Sequence, residues 1–253
     1  MLTFFFAADG AAESEYDPLG IRAGAFIIKP ELNLGMEYTD NVYATEKAEK
    51  SDWITTLAPE IEVRSDWARH FLGINVGLES GIYSTESDEN YVDGHIKLDS
   101  RLDFLRESFL TGQAGFERVH EARGEPDSDQ AWSEPATYYR SSLSTAYYHG
   151  RGKLSTTVGG GVVRLDYLDV DLNSGGSQNL DFRDYNTYNV NARLAYEIHP
   201  VMKPFFSTRY EWRQYDKSEA ERDSRGYRVA LGTGFDFSGV TSGEIFAGYF
   251  HHF

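Results

Sequence analysis

Six ionisable residues stand at every second position from Asp93 to Asp103: Asp93, His95, Lys97, Asp99, Arg101 and Asp103. Carboxylates, an imidazole and an amine so close together are the residue types of general acid–base catalysis. Their spacing points elsewhere. Charges of alternating sign along one line pair with one another and hold water, which is how a polar wall is built. Thinner constellations lead no further. His251 and His252 are adjacent, so on a strand they point to opposite faces and cannot easily share one metal ion. Gly159-Gly160-Gly161 is followed by neither Lys-Ser/Thr nor a helix, so it is a place for a strand to bend rather than a phosphate loop. Asp169, Asp171, Asn173 and Gly175 open like a calcium loop, but Leu180 stands where the twelfth-position glutamate is required. His120 and His149 are the bases a lipid-modifying enzyme would use, and neither has a recognisable catalytic neighbourhood. With no cysteine in the chain, disulfides, thiolate metal sites and cysteine nucleophiles are excluded. The expectation is a protein without catalytic residues, cofactor or resident metal.

The elements that carry these residues repeat with period 2. From Val92 to Phe104, the positions Val92, Ile96, Leu98, Leu102 and Phe104 oppose the charged row. A helix would scatter those charges around its circumference, whereas a strand puts them all on one face. Leu72, Ile74, Val76, Leu78 and Ile82 oppose Asn75 and Glu79. Tyr188, Val190, Ala192 and Leu194 oppose Asn189, Asn191 and Arg193. Phe206, Thr208, Tyr210 and Trp212 oppose Arg209, Glu211 and Arg213. Tyr227, Val229, Leu231 and Phe235 oppose Arg228 and Asp236, and Leu32, Leu34, Met36 and Tyr38 oppose Asn33 and Glu37. Eleven such segments are read, near 22–39, 53–64, 70–84, 91–104, 108–120, 136–148, 153–168, 182–197, 201–214, 226–237 and 243–253. Many are far longer than the usual ~5–6 residues of a soluble strand. A tilted membrane-crossing strand needs ~9–11 residues and can project beyond the bilayer.

Connections alternate in length. Long ones fall near 40–52, 85–90, 121–135, 169–181 and 215–225, and short ones near 65–69, 105–107, 149–152, 198–200 and 238–242. Short turns on one rim and long, acidic loops on the other match the plan of an outer-membrane barrel. The expected fold is all-β: an antiparallel up-and-down transmembrane barrel over residues 21–253, after a leader or linker at 1–20. Its lumen lining is expected to include Glu37, Glu79, Asp93, His95, Lys97, Asp99, Arg101, Arg193, Arg209, Glu211 and Arg228. Tyr38, Trp53, Trp67, Tyr83, Phe104, Tyr147, Tyr196, Trp212 and Phe237 stand near strand ends, where interfacial girdles need amphipathic rings.

Composition agrees with this reading. Lys+Arg is 24 against 40 Asp+Glu, a formal charge of −16, which disfavours a nucleic-acid partner. The 16 Phe, 17 Tyr and 4 Trp argue against disorder. No apolar run approaches the ~20 residues of a membrane helix, which leaves β-barrels open. Leu2 to Ala8 is the longest apolar run near the start, and it is short for the core of a signal peptide.

Several segments resemble, in order, a known family. They are Tyr16-Asp17-Pro18-Leu19-Gly20-Ile21-Arg22-Ala23-Gly24, Tyr38-Thr39-Asp40-Asn41-Val42-Tyr43, Ser51-Asp52-Trp53-Ile54, Ser65-Asp66-Trp67-Ala68-Arg69-His70 and Glu89-Asn90-Tyr91-Val92-Asp93. Together they resemble the putative β-barrel porin-2 family of proteobacterial outer-membrane proteins, over residues 16 to 253. The resemblance implies an outer-membrane location and passage of a hydrophilic solute or exopolysaccharide. It implies as partners outer-membrane lipid and lipopolysaccharide, the barrel-assembly machinery and polysaccharide-export components. It carries over no active site. Members of the family continue past the point matching Phe253, and eleven strands is an odd number where bacterial barrels have even ones. The expectation is therefore a barrel incomplete at its C-terminal end, seen as a sheet with a gap. Two rival functions are a structural or adhesive barrel acting through its acidic loops, and a soluble β-protein that binds carbohydrate.

Overall fold

A computed structural model of the chain describes residues 20–217, 222–238 and 241–253. The leader reading of residues 1–20 falls almost wholly outside the described residues, as does the side chain of Phe237. The long strands are β2 (Phe26–Thr39), β3 (Asp52–Ser65), β4 (Phe71–Tyr83), β5 (Tyr91–Leu105), β6 (Ser108–His120), β7 (Thr137–Arg151) and β8 (Leu154–Tyr167). They continue with β11 (Tyr185–Tyr196), β12 (Met202–Tyr215), β13 (Ser224–Ser238) and β14 (Thr241–His252). These eleven correspond one for one to the periodic segments of the sequence.

A twelfth strand, β1 (Ile21–Ala23), arises where the sequence showed one continuous segment. Gly24 takes φ +61°, a conformation glycine adopts without steric cost, and folds residues 21–23 back onto the start of β2. The twelve strands form one antiparallel sheet in the order β1-β2-β3-β4-β5-β6-β7-β8-β11-β12-β13-β14. A separate two-stranded ribbon, β9 (Val170–Asp171) with β10 (Ser177–Gln178), lies within the loop after β8. The described residues contain no α-helix, only 3-10 turns at Ser87–Glu89 and Asp181–Arg183. The second of these moves the start of β11 from the expected 182 to 185.

The sheet is open between β1 and β14. β2 and β14 run in the same direction and so cannot share an antiparallel ladder. β1 runs opposite to β14 but offers only three residues. Strands of 12–15 residues, at ~3.3 Å per residue, are about 40–50 Å long. That exceeds the ~25 Å apolar band of a membrane barrel and leaves both strand ends in water.

Burial alternates as the sequence did, but in an inverted sense. Along β3 and β7 the apolar rows Trp53, Leu57, Ile61 and Leu143, Tyr147 are exposed, while Thr56, Glu60, Glu62 and Ser142, Ser144 are half-buried. A sheet curved around its polar face does this, because the concave side shields itself. The curvature also lets Arg193 on β11 reach Glu244 on β14, three strands along. Large hydrophobics stand exposed on most strands, up to Leu34 at 72%. In water so much contiguous apolar surface would drive association. In lipid it is the contact surface. The buried hydrophobic core lies in the loops instead: Trp132, Ala136, Val170 and Leu180, with Tyr167 and Leu172 packed against them.

Candidate functional site: the polar face and its mouth

Strand register decides which side chains share a face. Glu37 pairs with Ile54, Ile54 with Tyr83, and Glu79, four residues before Tyr83, pairs with Asp93. His95 pairs with Glu117, Glu117 with Arg140, Arg140 with Leu165 and Leu165 with Tyr185. Thr157 pairs with Arg193, Asn191 with Arg209, Asn189 with Glu211 and Arg209 with Arg228. Followed across the sheet, this register puts all eleven expected lining residues on one face. None of the exposed Leu32, Leu34, Met36, Leu57, Ile61, Val76, Leu78, Ile96 or Leu98 lies on it.

Most of those residues are tied to neighbours on the same face. The Lys97 ammonium and the Arg140 guanidinium each lie 2.8 Å from the Glu117 carboxylate, a three-strand bridge over β5, β6 and β7. Asp99 accepts from Gln113 at 2.7 Å. Tyr91 donates to Glu79 at 2.9 Å, and His120 meets Asp93 at 2.7 Å. His95 contacts the Asn75 carboxamide, which also reaches Glu60. Arg101 pairs with Asp103 and lies 3.7 Å from the centroid of the Phe109 ring. Arg209 pairs with Glu211 at 2.7 Å. The side chains of Glu37 and Arg228 make no hydrogen bond or ion pair among the described residues. These ties brace the charged side chains against one another across neighbouring strands, the arrangement expected of neighbours that alternate in sign.

The wall divides by charge. The polar face of β2–β4 carries Glu31, Glu37, Glu60, Glu62 and Glu79 against Lys29 and Arg64. That of β11–β13 carries Arg193, Lys203, Arg209, Arg213 and Arg228 against Glu211 and Asp236. Glycines also gather on this face. The Tyr91 and His95 rings lie flat over Gly81 and Gly77, where an added Cβ would come within 2.1 and 2.4 Å of them. Only glycine lets those rings fold against the wall.

A Ser–His pair sits on the outward face at the short-turn rim, with Ser108 Oγ 2.7 Å from His149 Nδ1. Two features remove it as a nucleophile. Ser108 is 2% exposed, and among the described residues no carboxylate is bonded to His149 to orient it.

On the other rim the long loops fold together. The Arg123 guanidinium makes a two-point bond with Glu89 and donates to the Trp132 carbonyl at 3.0 Å. Both partners are almost fully buried. Arg183 makes a second two-point bond, to Glu121. Tyr43 donates to Glu86 at 2.7 Å and Lys50 approaches the same carboxylate, and the two hold it below the usual carboxylate range. Asp52 accepts from the backbone N–H groups of Thr85 and Glu86, at 2.9 Å each. Trp132 Nε1 donates to Gln178 at 3.0 Å. The long connections are therefore a built cap.

Beneath the cap is a feature the sequence reading missed. Tyr83, Tyr91, Tyr138, Tyr167, Tyr185 and Tyr215 all lie on the polar face at the long-loop ends of their strands. Tyr138 meets Tyr167 in a tilted ring contact at 5.0 Å between centroids, and Tyr185 meets Tyr215 likewise at 5.1 Å. Tyr83 was expected in the outer girdle. Its odd-numbered position on β4, shared with Gly81 and Glu79, turns it inward. Outward rings near strand ends include Tyr38 tilted against Trp53 at 5.2 Å at the long-loop rim, and Trp67, Phe104, Tyr147 and Tyr196 at the short-turn rim.

Comparison with known proteins follows this geometry. No curated protein matches the chain. A solved structure, that of a Pseudomonas aeruginosa FadL homologue, aligns with 92% of this chain and 68% of its own at a TM-score of 0.48 and 11% identity. The family model described as "Putative beta-barrel porin 2" matches residues 13–252, and the chain belongs to that family.

Proposed function

We propose that this protein is an outer-membrane barrel whose polar face lines a water-filled path for a hydrophilic solute, in the export or passage of exopolysaccharide. The single observation that carries the reading is the continuous polar face, cross-braced by ion pairs such as Lys97–Glu117–Arg140, behind an exposed apolar one. Lipid on one side and water on the other is the environment in which that pattern costs least. Lipopolysaccharide, the barrel-assembly machinery and polysaccharide-export components are the partners that go with this location. Porin family membership supports the same reading. Reconstitution into planar bilayers tests it. Stepwise conductance is the expected result, and Lys97→Glu should shift ion selectivity towards cations. A folded protein that never conducts would refute the pore. The cap, with its own core of Trp132, Val170 and Leu180, favours a second reading in that event: an adhesive barrel acting through folded loops. Stability without detergent or lipid would instead support the soluble carbohydrate-binding reading.

Sidedness follows from loop length, since long loops face outward. Epitope tags at Ser128 and Ser174 are expected to be labelled on intact cells, and a tag at Gly150 only after permeabilisation. Labelling of Gly150 alone would reverse the orientation, and labelling of all three would contradict a barrel.

A further inference from the structure

Three arginines converge on tyrosine rings at the mouth of the polar face. A cavity of about 260 Å³ lies between the ends of β8, β11 and β12 and the loops above them. Tyr167, Tyr185 and Tyr215 form one side, Asp127, Trp132 and Phe182 come from the cap, and Arg183, Arg213 and Arg222 complete the lining, three guanidinium groups against one carboxylate. Each guanidinium rests on an aromatic face: Arg183 4.1 Å from the Tyr167 centroid, Arg213 4.5 Å from Tyr185, and Arg222 5.4 Å from Tyr215 and 5.9 Å from Phe182.

Their charges are balanced unequally. Arg183 is neutralised by Glu121, with Asp127 at 3.6 Å. Arg213 donates only to the Thr187 hydroxyl, at 3.3 Å, and Arg222 only to the Phe182 carbonyl, at 3.4 Å. Neither has a carboxylate partner among the described residues. In a chain of charge −16, two guanidinium groups without an acid partner among the described residues are conspicuous. Stacking holds each fork in place while leaving N–H donors open, the arrangement that binds a carboxylate at two points. The half-buried tyrosine rings add flat apolar surface to the cavity lining that the C–H face of a sugar ring can cover. Below the cavity on the same wall, Arg209 and Arg193 are paired with Glu211 and Glu244, and Arg228 adds a guanidinium with no side-chain partner among the described residues.

We infer that this cavity is a binding subsite for an acidic sugar unit, a uronate-type residue of a polyanionic glycan, with Arg213 and Arg222 taking the carboxylate and Tyr185 and Tyr215 the ring. The inference rests on the pore reading, since it names the class of solute that enters the path.

Binding to the folded protein in detergent tests it, with trigalacturonate as the probe, maltotriose as the neutral control of equal length and sulfate as the bare anion. Trigalacturonate is expected to bind at least tenfold more tightly than either control. Arg222→Gln, on a loop, and Arg213→Gln are each expected to weaken it at least fivefold, with the folded electrophoretic form retained. Tyr185→Ala should weaken it similarly and Tyr185→Trp should restore it. Equal affinity for maltotriose, sulfate binding as tight as trigalacturonate, or indifference to both arginine substitutions would overturn the subsite. Conductance without trigalacturonate binding defeats this inference alone. Binding without conductance defeats the pore and leaves the subsite standing.

Discussion

Replacing Arg123 with methionine is expected to loosen the cap by about 3–5 kcal/mol, the usual cost of stranding one partner of a buried ion pair. Glu89 is 2% exposed and its carboxylate is held by this guanidinium. Water cannot take the guanidinium's place without the cap opening. Arg123 also ties the 121–136 loop to itself through the Trp132 carbonyl, so the same substitution leaves that acceptor only the longer bond from Asn173, at 3.3 Å. The long strands, held by their own ladders, should persist. Limited proteolysis of the folded protein reads the difference: cleavage within 121–136 should accelerate by two orders of magnitude or more while the barrel fragment survives. Adding Glu89→Leu to Arg123→Met should recover much of the protection, because no lone charge then remains buried. Unchanged cleavage in the single variant would mean that the pair does not hold the cap.

Leu98→Arg is expected to cost ~2–4 kcal/mol on refolding into bilayers, whereas Lys97→Gln should cost well under ~1 kcal/mol. Leu98 is the eighth of the fifteen residues of β5, which places it near the midplane, and it faces outward with Ile96 and Leu102. An arginine there must enter hydrocarbon or thin the bilayer around it. Lys97, one position away, reaches a face already furnished with Glu117, and its loss leaves that carboxylate bonded to Arg140. Reversible unfolding in urea from lipid vesicles gives both numbers. Equal costs at the two positions would contradict the face assignment.

These two predictions differ in how far the sequence alone could have led to them. The Leu98/Lys97 contrast is legible in the chain, because period 2 separates faces whatever the neighbouring strands do. The alternation of loop lengths likewise located both rims before any coordinates. The Glu89–Arg123 bond was not legible. Its partners stand 34 residues apart in two acidic loops, and nothing local links them. A weak signal was available: Trp132, Val170, Leu172 and Leu180 are apolar residues in loops otherwise polar, and loops that fill a core need such residues. The tyrosine collar could also have been found. Tyr83, Tyr185 and Tyr215 each share the numbering parity of the polar residues on their own strand. Reading Tyr83 as a strand-end girdle residue gave position along the strand more weight than parity. The β1 hairpin escaped notice because Ile21 to Thr39 is apolar and polar in plausible alternation, and only the positive φ at Gly24 breaks it.

The most direct measurement of the central claim uses the absence of cysteine from the chain. Single cysteines placed in turn at positions 92 to 102 of β5, in protein reconstituted into vesicles, can be probed with a membrane-impermeant thiol reagent and, as fluorophore adducts, with brominated lipid. The account predicts an alternating result. Positions 93, 95, 97, 99 and 101 should react from water and resist quenching by lipid, and 92, 96, 98 and 102 should do the reverse. Uniform reactivity along the strand, or the opposite alternation, would contradict a lumen built on the polar face.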